Sequence, residues 1–193
     1  MGNRIKGSGS RRWAQHATSG EAGGRDAIRR LRALVNQGTV AMVTATDRRF
    51  MPASRPLLTQ GLDDEGVLWF FVPSDGSLAL DIESNPRVSA TYSDPLRGMY
   101  VALSGYARLT YDPERIFALW DERVEAWFSQ GPLDPRLSLL RVEVDRAEYW
   151  EERSRPRIRL WALAQAALGA ETRPPEHGRL QFRGTRPRAA RRA

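Results

Sequence analysis

Cysteine is absent from this 193-residue chain, lysine occurs once, at Lys6, and histidine occurs only at His16 and His177. A chain without cysteine forms no disulfide, has no thiolate nucleophile and is typical of a reducing compartment. The two histidines stand near opposite ends of the chain, so we expect no histidine-based metal site. No GxSxG motif, no histidine within the central region and no readable carboxylate pair is present, and we therefore assign no catalytic side chain.

Long apolar segments are also missing. No run approaches the roughly 18 apolar residues that span a bilayer. The basic N-terminus is followed by the polar stretch WAQHATSGEAGG, where a signal peptide would have an apolar region. The sequence therefore predicts a cytoplasmic protein with no membrane partner.

The net charge of +7 is unevenly distributed. Residues 1–24 carry +3 and residues 183–193 carry +5, which leaves the rest of the chain at −1. A nearly neutral body lacks the sustained basic face that phosphate backbones require, so we expect nucleic acid to bind weakly through the basic tails or not at all. Composition predicts a disordered arm over residues 1–24, a folded domain over 25–182 and a disordered Arg-rich tail over 183–193.

Hydrophobic periodicity predicts several strands and few helices in the folded region. Strands are expected over residues 39–46, 51–60, 67–72, 87–93, 99–111, 137–144 and 147–151. Helices are expected over residues 25–37, 78–86 and 158–168, and from Pro113 onward. No GxGxxG or P-loop motif is present, which excludes a doubly wound nucleotide fold. The pattern predicts a mainly β, α+β fold in which about six antiparallel strands close into a barrel with flanking helices, because closure removes exposed edges.

Two local features make sharper predictions. Gly105 lies in the middle of a long strand, where a missing side chain lets the strand bend or another group approach closely. Asp112 is expected to cap a helix that starts at Pro113. That helix carries an apolar stripe, which we interpret mainly as core: Ile116, Leu119, Trp120, Val124 and Trp127.

Seven motifs occur together and in a characteristic order. They are SRPL at 54–57, WFFVPSD at 69–75, NPRVSATYSDP at 85–95, YVALSGYARLTYD at 100–112, the segment 118–144, AEYWE at 147–151 and EHGRLQF at 176–182. In this order they resemble the general stress proteins of the pyridoxamine 5'-phosphate oxidase-like group. The resemblance covers about residues 25–182. It implies an FMN-binding split β-barrel, usually a homodimer with the flavin at the subunit interface.

The resemblance also implies which residues contact the cofactor. Arg55 would bind the flavin phosphate, and the backbone of Pro56, Leu57 and Leu58 would lie along the flavin. Ser54, in the same motif, is a further cofactor-binding position. The family commonly has Thr, Ser and Lys where this chain has Val72, Gly76 and Leu78, so three polar donors are replaced. Ser77, with Ser74, backbone amides and the start of a helix, is expected to compensate.

Aromatic residues are implied at the flavin ring, namely Tyr100 and, from the partner subunit, Trp127. Alternatives remain open for two of these residues. Arg55 could form a salt bridge on an edge strand, and Trp127 with Phe128 could seal the barrel or the dimer seam.

The predicted function is that of a flavin-binding, oxidoreductase-like stress protein with FMN as cofactor. FAD or a deazaflavin is a variant of this hypothesis, and the small-molecule electron donor or acceptor is not identified. In such a protein the flavin accepts the hydride and the protein supplies binding and orientation. The alternative is a non-catalytic dimeric binding or sensor barrel that has lost FMN or holds another ligand, which the replaced phosphate donors favour.

Overall fold

The computed structural model describes residues 21–35, 39–151 and 176–182. The strands are β1 (Glu21–Gly23), β2 (Val40–Thr46), β3 (Pro52–Leu62), β4 (Val67–Pro73), β5 (Arg87–Asp94), β6 (Met99–Thr110), β7 (Leu137–Glu151) and β8 (Glu176–Gln181). The helices are α1 (Arg25–Leu34), α2 (Ser77–Ser84) and α3 (Pro113–Leu119), with 3₁₀ turns at Glu122–Val124 and Gly131–Leu133. The helix predicted over 158–168, the tail 183–193 and most of the arm 1–24 lie outside the described residues.

Six strands form a closed antiparallel barrel in the order β7, β4, β3, β2, β5 and β6, with β6 paired back onto β7. β8 extends the sheet beside β7, and β1 pairs with β8 in parallel. The predicted six-stranded, mainly β fold is confirmed. β1 lies within the segment predicted as a disordered arm. Its backbone is ordered there by pairing with β8.

Alternation along the strands places one apolar face inside the barrel. In β2 the inward residues Ala41, Val43 and Ala45 are buried, while their neighbours Val40 and Met42 are exposed. α1 adds Ala27 and Leu31 to the same core from one face of the helix. The helix ends at Leu34 rather than at residue 37, because the backbone of Val35 is extended.

β6 and β7 form the longest strand pairing of the barrel, and Gly105 lies where its register shifts. A Cβ atom on Gly105 would be 2.1 Å from the carbonyl oxygen of Glu143, so the predicted close approach at this glycine is confirmed. The shift leaves Asp145, between Val144 and Arg146, without a partner on β6. Because this bulge absorbs one residue, the two strands predicted over 137–144 and 147–151 are a single strand.

A second apolar cluster covers the outer face of β4. It comprises Val67, Trp69, Phe71, Ile116, Val124, Phe128, Leu137 and Leu139. Asp112 caps α3 as predicted, since its side chain accepts a hydrogen bond from the Arg115 amide at 3.1 Å. The predicted apolar stripe is not one helix, because the backbone at Trp120 leaves helical geometry and Asp121 caps a new turn. In the described ranges no helix is long and apolar enough to cross a membrane.

Candidate functional site

The four consecutive site residues on β3 point to two different faces of the barrel. Leu57 packs against the barrel core, and Arg55, two residues earlier, faces the same way. Ser54 and Pro56 are exposed on the outer face, where the Ser54 hydroxyl lies 2.8 Å from the Thr44 hydroxyl. In a single subunit the side chains of Arg55 and Ser54 therefore do not contact one bound group together.

Arg55 reaches from β3 to α2, the helix that packs on the barrel core. Its Nη2 donates to Ser77 Oγ at 3.1 Å and to Asp81 Oδ2 at 2.8 Å. The side chain of Asp81 is only 8% exposed and that of Arg55 is 27% exposed. Arg55 Nη1 is buried, and the described part of the chain offers it no hydrogen-bond acceptor.

The salt bridge considered as an alternative for Arg55 is thus present, although in a different setting. β3 lies between β2 and β4, so it is not an edge strand. The ion pair is also largely buried, so solvent screens it less than a surface pair. Arg55 consequently has a structural partner in Asp81, together with a guanidinium nitrogen that still lacks an acceptor.

The N-terminus of α2 lies beside the same guanidinium. Gly76 is the N-cap residue and has no side chain to cap the helix. The first amides of a helix have no acceptor within the helix, and its dipole favours an anion there. Ser77, the first residue of α2, adds the hydroxyl that already contacts Arg55. Guanidinium, hydroxyl and helix amides together form a donor set that suits a phosphate or another anion.

Val72 and Leu78 lie next to this donor set but turn their side chains into the core. Val72 is 1% exposed and Leu78 is 5% exposed, and both belong to the barrel cluster. Val72 also pairs with Ser138 in the sheet. Neither side chain is available to a ligand, so Ser77 is the residue of this loop whose polar side chain lies beside Arg55.

Asp81 is a site residue that the sequence analysis missed. A helical signal was available, because Ser77 and Asp81 are four residues apart and so lie on one face of α2. A guanidinium that reaches Ser77 is then within reach of Asp81 as well. Asp81 adds a negative charge to a site that otherwise presents donors.

Tyr100 lies on a strand that does not neighbour the strand of Arg55, and Trp127 follows the 3₁₀ turn after α3. Tyr100 is 42% exposed on β6, which lies three strands from β3 in either direction around the barrel. Trp127 is 64% exposed after the 3₁₀ turn, whereas its neighbour Phe128 is buried in the cluster on β4. Phe128 therefore packs in the apolar cluster on β4, and the ring of Trp127 is accessible to solvent or to another molecule.

Tyr100 is the first member of an aromatic row on the outer sheet face. It pairs with Trp150 on β7, which pairs with His177 on β8. The rings of Trp150 and His177 stack at 5.0 Å with 13° between their planes. No sequence pattern identifies this row, because the register of β8 against β7 depends on long-range pairing.

The polar pair inside the barrel is structural in character. Thr59 and Tyr92 share a buried hydrogen bond of 3.0 Å between their hydroxyls. Burial raises the pKa of Tyr92 to about 12, and the hydrogen bond from Thr59 opposes that rise in part. The phenol therefore stays protonated over the ordinary pH range. Within the described ranges no group of three or more His, Asp or Glu residues is arranged to hold a metal ion.

A closed β-barrel with an arginine beside a helix N-terminus defines a barrel protein with a candidate anion site. Comparison with protein families is more specific. The model of the family "Pyridoxamine 5'-phosphate oxidase like" matches residues 26–174. The chain belongs to this family, as the order of its motifs indicated.

Individual relatives are consistent with this assignment. A pyridoxine/pyridoxamine 5'-phosphate oxidase of Nocardia farcinica is 34% identical over 111 residues, which are 54% of this chain and 47% of that protein. The chain thus spans about half the length of this relative. The general stress FMN/FAD binding protein of Xanthomonas citri is 30% identical, with a TM-score of 0.56 and coverage of 66% of this chain and 89% of that one. General stress protein 26 of Bacillus anthracis, at 21% identity and a TM-score of 0.56 over 65% of this chain and 92% of that one, shares the fold.

Proposed function

We propose that this protein binds a flavin nucleotide, with FMN as the preferred cofactor, and acts as an oxidoreductase-like stress protein. The observation that carries the proposal is the Arg55 guanidinium, which lies against Ser77 at the start of α2 and has one buried nitrogen without an acceptor among the described residues. The Xanthomonas relative, described as FMN/FAD binding, supports a flavin as the ligand.

The donor set fits one phosphate group. Arg55 can present two N–H groups to phosphate oxygens, Ser77 adds a hydroxyl, and the first amides of α2 add the positive end of the helix dipole. One guanidinium and one helix end match a single phosphate, which favours FMN over the two phosphates of FAD. The main chain at Pro56 and Leu57 would lie along the flavin. When bound, the flavin would supply hydride transfer, while this chain binds, orients and excludes water.

A homodimer completes the proposal. Three apolar side chains are exposed on the outer face of the barrel: Val40 at 53%, Met42 at 42% and Tyr100 at 42%. A second copy covering that face would bury them and bring its own aromatic residues, including Trp127, toward the flavin ring. A small-molecule electron donor or acceptor and a cytoplasmic location are further parts of this hypothesis.

A second candidate function is a non-catalytic binding or sensor barrel. It is favoured by the ion pair between Arg55 and Asp81, which balances the charge that would attract a phosphate. It is also favoured by Val72 and Leu78, whose side chains are committed to the core. This candidate predicts that the protein retains the fold and does not retain a flavin.

A titration of FMN, followed by quenching of flavin fluorescence, tests the proposal. Arg55→Gln removes the guanidinium and leaves the Asp81 carboxylate unbalanced, so we expect FMN affinity to fall at least tenfold. This corresponds to losing one charge-assisted hydrogen bond of about 1.5 kcal/mol or more. Arg29→Gln is the matched control, since it removes an exposed arginine on α1. Equal FMN affinities in both variants would remove Arg55 from the site, and no flavin binding at millimolar concentration would favour the sensor barrel.

A further inference from the structure

We infer that Asp81 determines the ligand selectivity of the proposed flavin site by competing with the ligand's phosphate for Arg55. The inference rests on the proposed function and deepens it. It means that the native protein distinguishes FMN from riboflavin weakly, because the phosphate meets an arginine that already has a carboxylate partner.

The geometry places Asp81 in direct competition with an incoming anion. Arg55 Nη2 donates at 2.8 Å to Asp81 Oδ2 and at 3.1 Å to Ser77 Oγ, so both hydrogens of that nitrogen are used. The Asp81 side chain is 8% exposed, and its charge is therefore poorly screened by solvent. A phosphate that takes Arg55 must share the guanidinium with this carboxylate or displace it.

The balance of charge gives the direction of the effect. Arg55 and Asp81 together contribute no net charge, whereas an FMN phosphate brings close to two negative charges. Asp81 lies one helical turn from Ser77 on the same face of α2, so a phosphate held by Arg55 beside Ser77 is repelled by a like charge on that face. Riboflavin shares the ring and ribityl chain of FMN but has no phosphate, and it meets none of this repulsion.

Arg55 Nη1, which lacks an acceptor in the part of the chain that the structure describes, shows how much hydrogen-bonding capacity the guanidinium leaves unused while it is paired with Asp81. Nη1 is buried, and the described residues give it no acceptor, so part of the donor capacity of the guanidinium is unused while Asp81 holds the side chain. An amide at position 81 could still accept from Nη2, but it would carry no charge. The full positive charge of Arg55 would then be available to a phosphate.

Asp81→Asn is the decisive variant, and Glu83→Gln is its matched control. Both remove one negative charge from α2, but Glu83 is exposed, whereas Asp81 is buried against Arg55. FMN and riboflavin are each titrated by fluorescence quenching on the native protein and both variants, with circular dichroism to verify folding. We expect a native preference for FMN of less than about tenfold. Asp81→Asn should raise that preference at least tenfold by tightening FMN alone, and Glu83→Gln should change it by less than about threefold.

Several outcomes would overturn the inference. A native preference for FMN of about a hundredfold or more shows that Asp81 does not suppress phosphate binding, and this result needs no variant. An unchanged preference in a folded Asp81→Asn protein has the same meaning. If Asp81→Asn does not fold, the double variant Arg55→Gln/Asp81→Asn replaces the ion pair with two amides, and it should bind both ligands within threefold of each other. If neither flavin binds the native protein or any variant, the proposed function itself is refuted. That result is distinct from flavin binding without the expected selectivity, which refutes only the role of Asp81.

Discussion

Replacing Gly105 with alanine should push apart β6 and β7, the strand pair that closes the barrel. A Cβ on Gly105 would lie 2.1 Å from the Glu143 carbonyl oxygen, 2.9 Å from its carbonyl carbon and 3.2 Å from Val144 Cα. All three atoms belong to the backbone of β7, so no side-chain rotation relieves the contact. In Gly105→Ala, β6 and β7 must separate locally by more than about 1 Å to reach an ordinary van der Waals distance.

The free-energy cost follows from three contributions. Overpacking in a well-packed region costs about 1–3 kcal/mol. Separation of the strands weakens one or two ladder hydrogen bonds, at about 1 kcal/mol each. Alanine restricts the unfolded chain and returns about 0.4–1 kcal/mol. Taken at the middle of their ranges, these contributions lower the free energy of unfolding of Gly105→Ala by about 3 kcal/mol.

Gly61→Ala is the matched control, because Gly61 also lies in a barrel strand beside a register shift. Its added Cβ would be 3.6 Å from Leu119 Cδ2, which is an ordinary contact. We expect this variant to stay within about 0.5 kcal/mol of the native protein. Urea unfolding followed by tryptophan fluorescence measures both variants. Stabilities within about 1 kcal/mol of each other would refute the steric argument at Gly105.

Two further predictions concern buried and capping groups. Burial raises the pKa of Tyr92 from 10.0 to about 12, so its contribution to stability is full below pH 10 and is lost as the pH rises toward 12. The loss should be about 2.3 kcal/mol at pH 12. Tyr92→Phe should reduce the difference between the free energies of unfolding measured below pH 10 and at pH 12, and an unchanged difference would contradict the assignment. Asp112→Ala removes the hydrogen bond to the Arg115 amide and should cost about 1 kcal/mol in urea unfolding, against little change for the exposed Glu114→Ala. Equal losses in those two variants would argue against the cap.

Local patterns predicted the barrel because its strands carry their own signals. β2 alternates buried and exposed residues, and Asp112 and Pro113 mark the start of α3, so short-range chemistry was sufficient for both. The bulge at Asp145 was not predicted, because it depends on which residue of β7 lies opposite Gly105. The break of the apolar stripe at Trp120 was missed for a similar reason. Packing of Val124 and Phe128 against β4 determines the chain path there.

The candidate site was predictable in part. The resemblance indicated Arg55, and the loop around Gly76 suggested Ser77 as a compensating donor. The structure brings these two side chains into hydrogen-bond contact. The face that each β3 side chain occupies depends on the pleat of the strand, which a motif read as consecutive letters does not convey. The separation of Tyr100 from Arg55 likewise follows from the order of strands in the barrel and not from the sequence between them.

The same positions that weaken the phosphate site strengthen the barrel. Val72 and Leu78 are almost fully buried, and each contributes about 1.5–3 kcal/mol when it leaves water. A threonine or lysine there would have to place a polar group against the core or turn the side chain outward, at a cost in stability. Valine and leucine bury no polar group at these positions. Asp81 then provides Arg55 with an ion-pair partner inside the protein. Stability of the fold and affinity for a phosphate would therefore compete at these positions of β4 and α2, and the apolar residues favour stability.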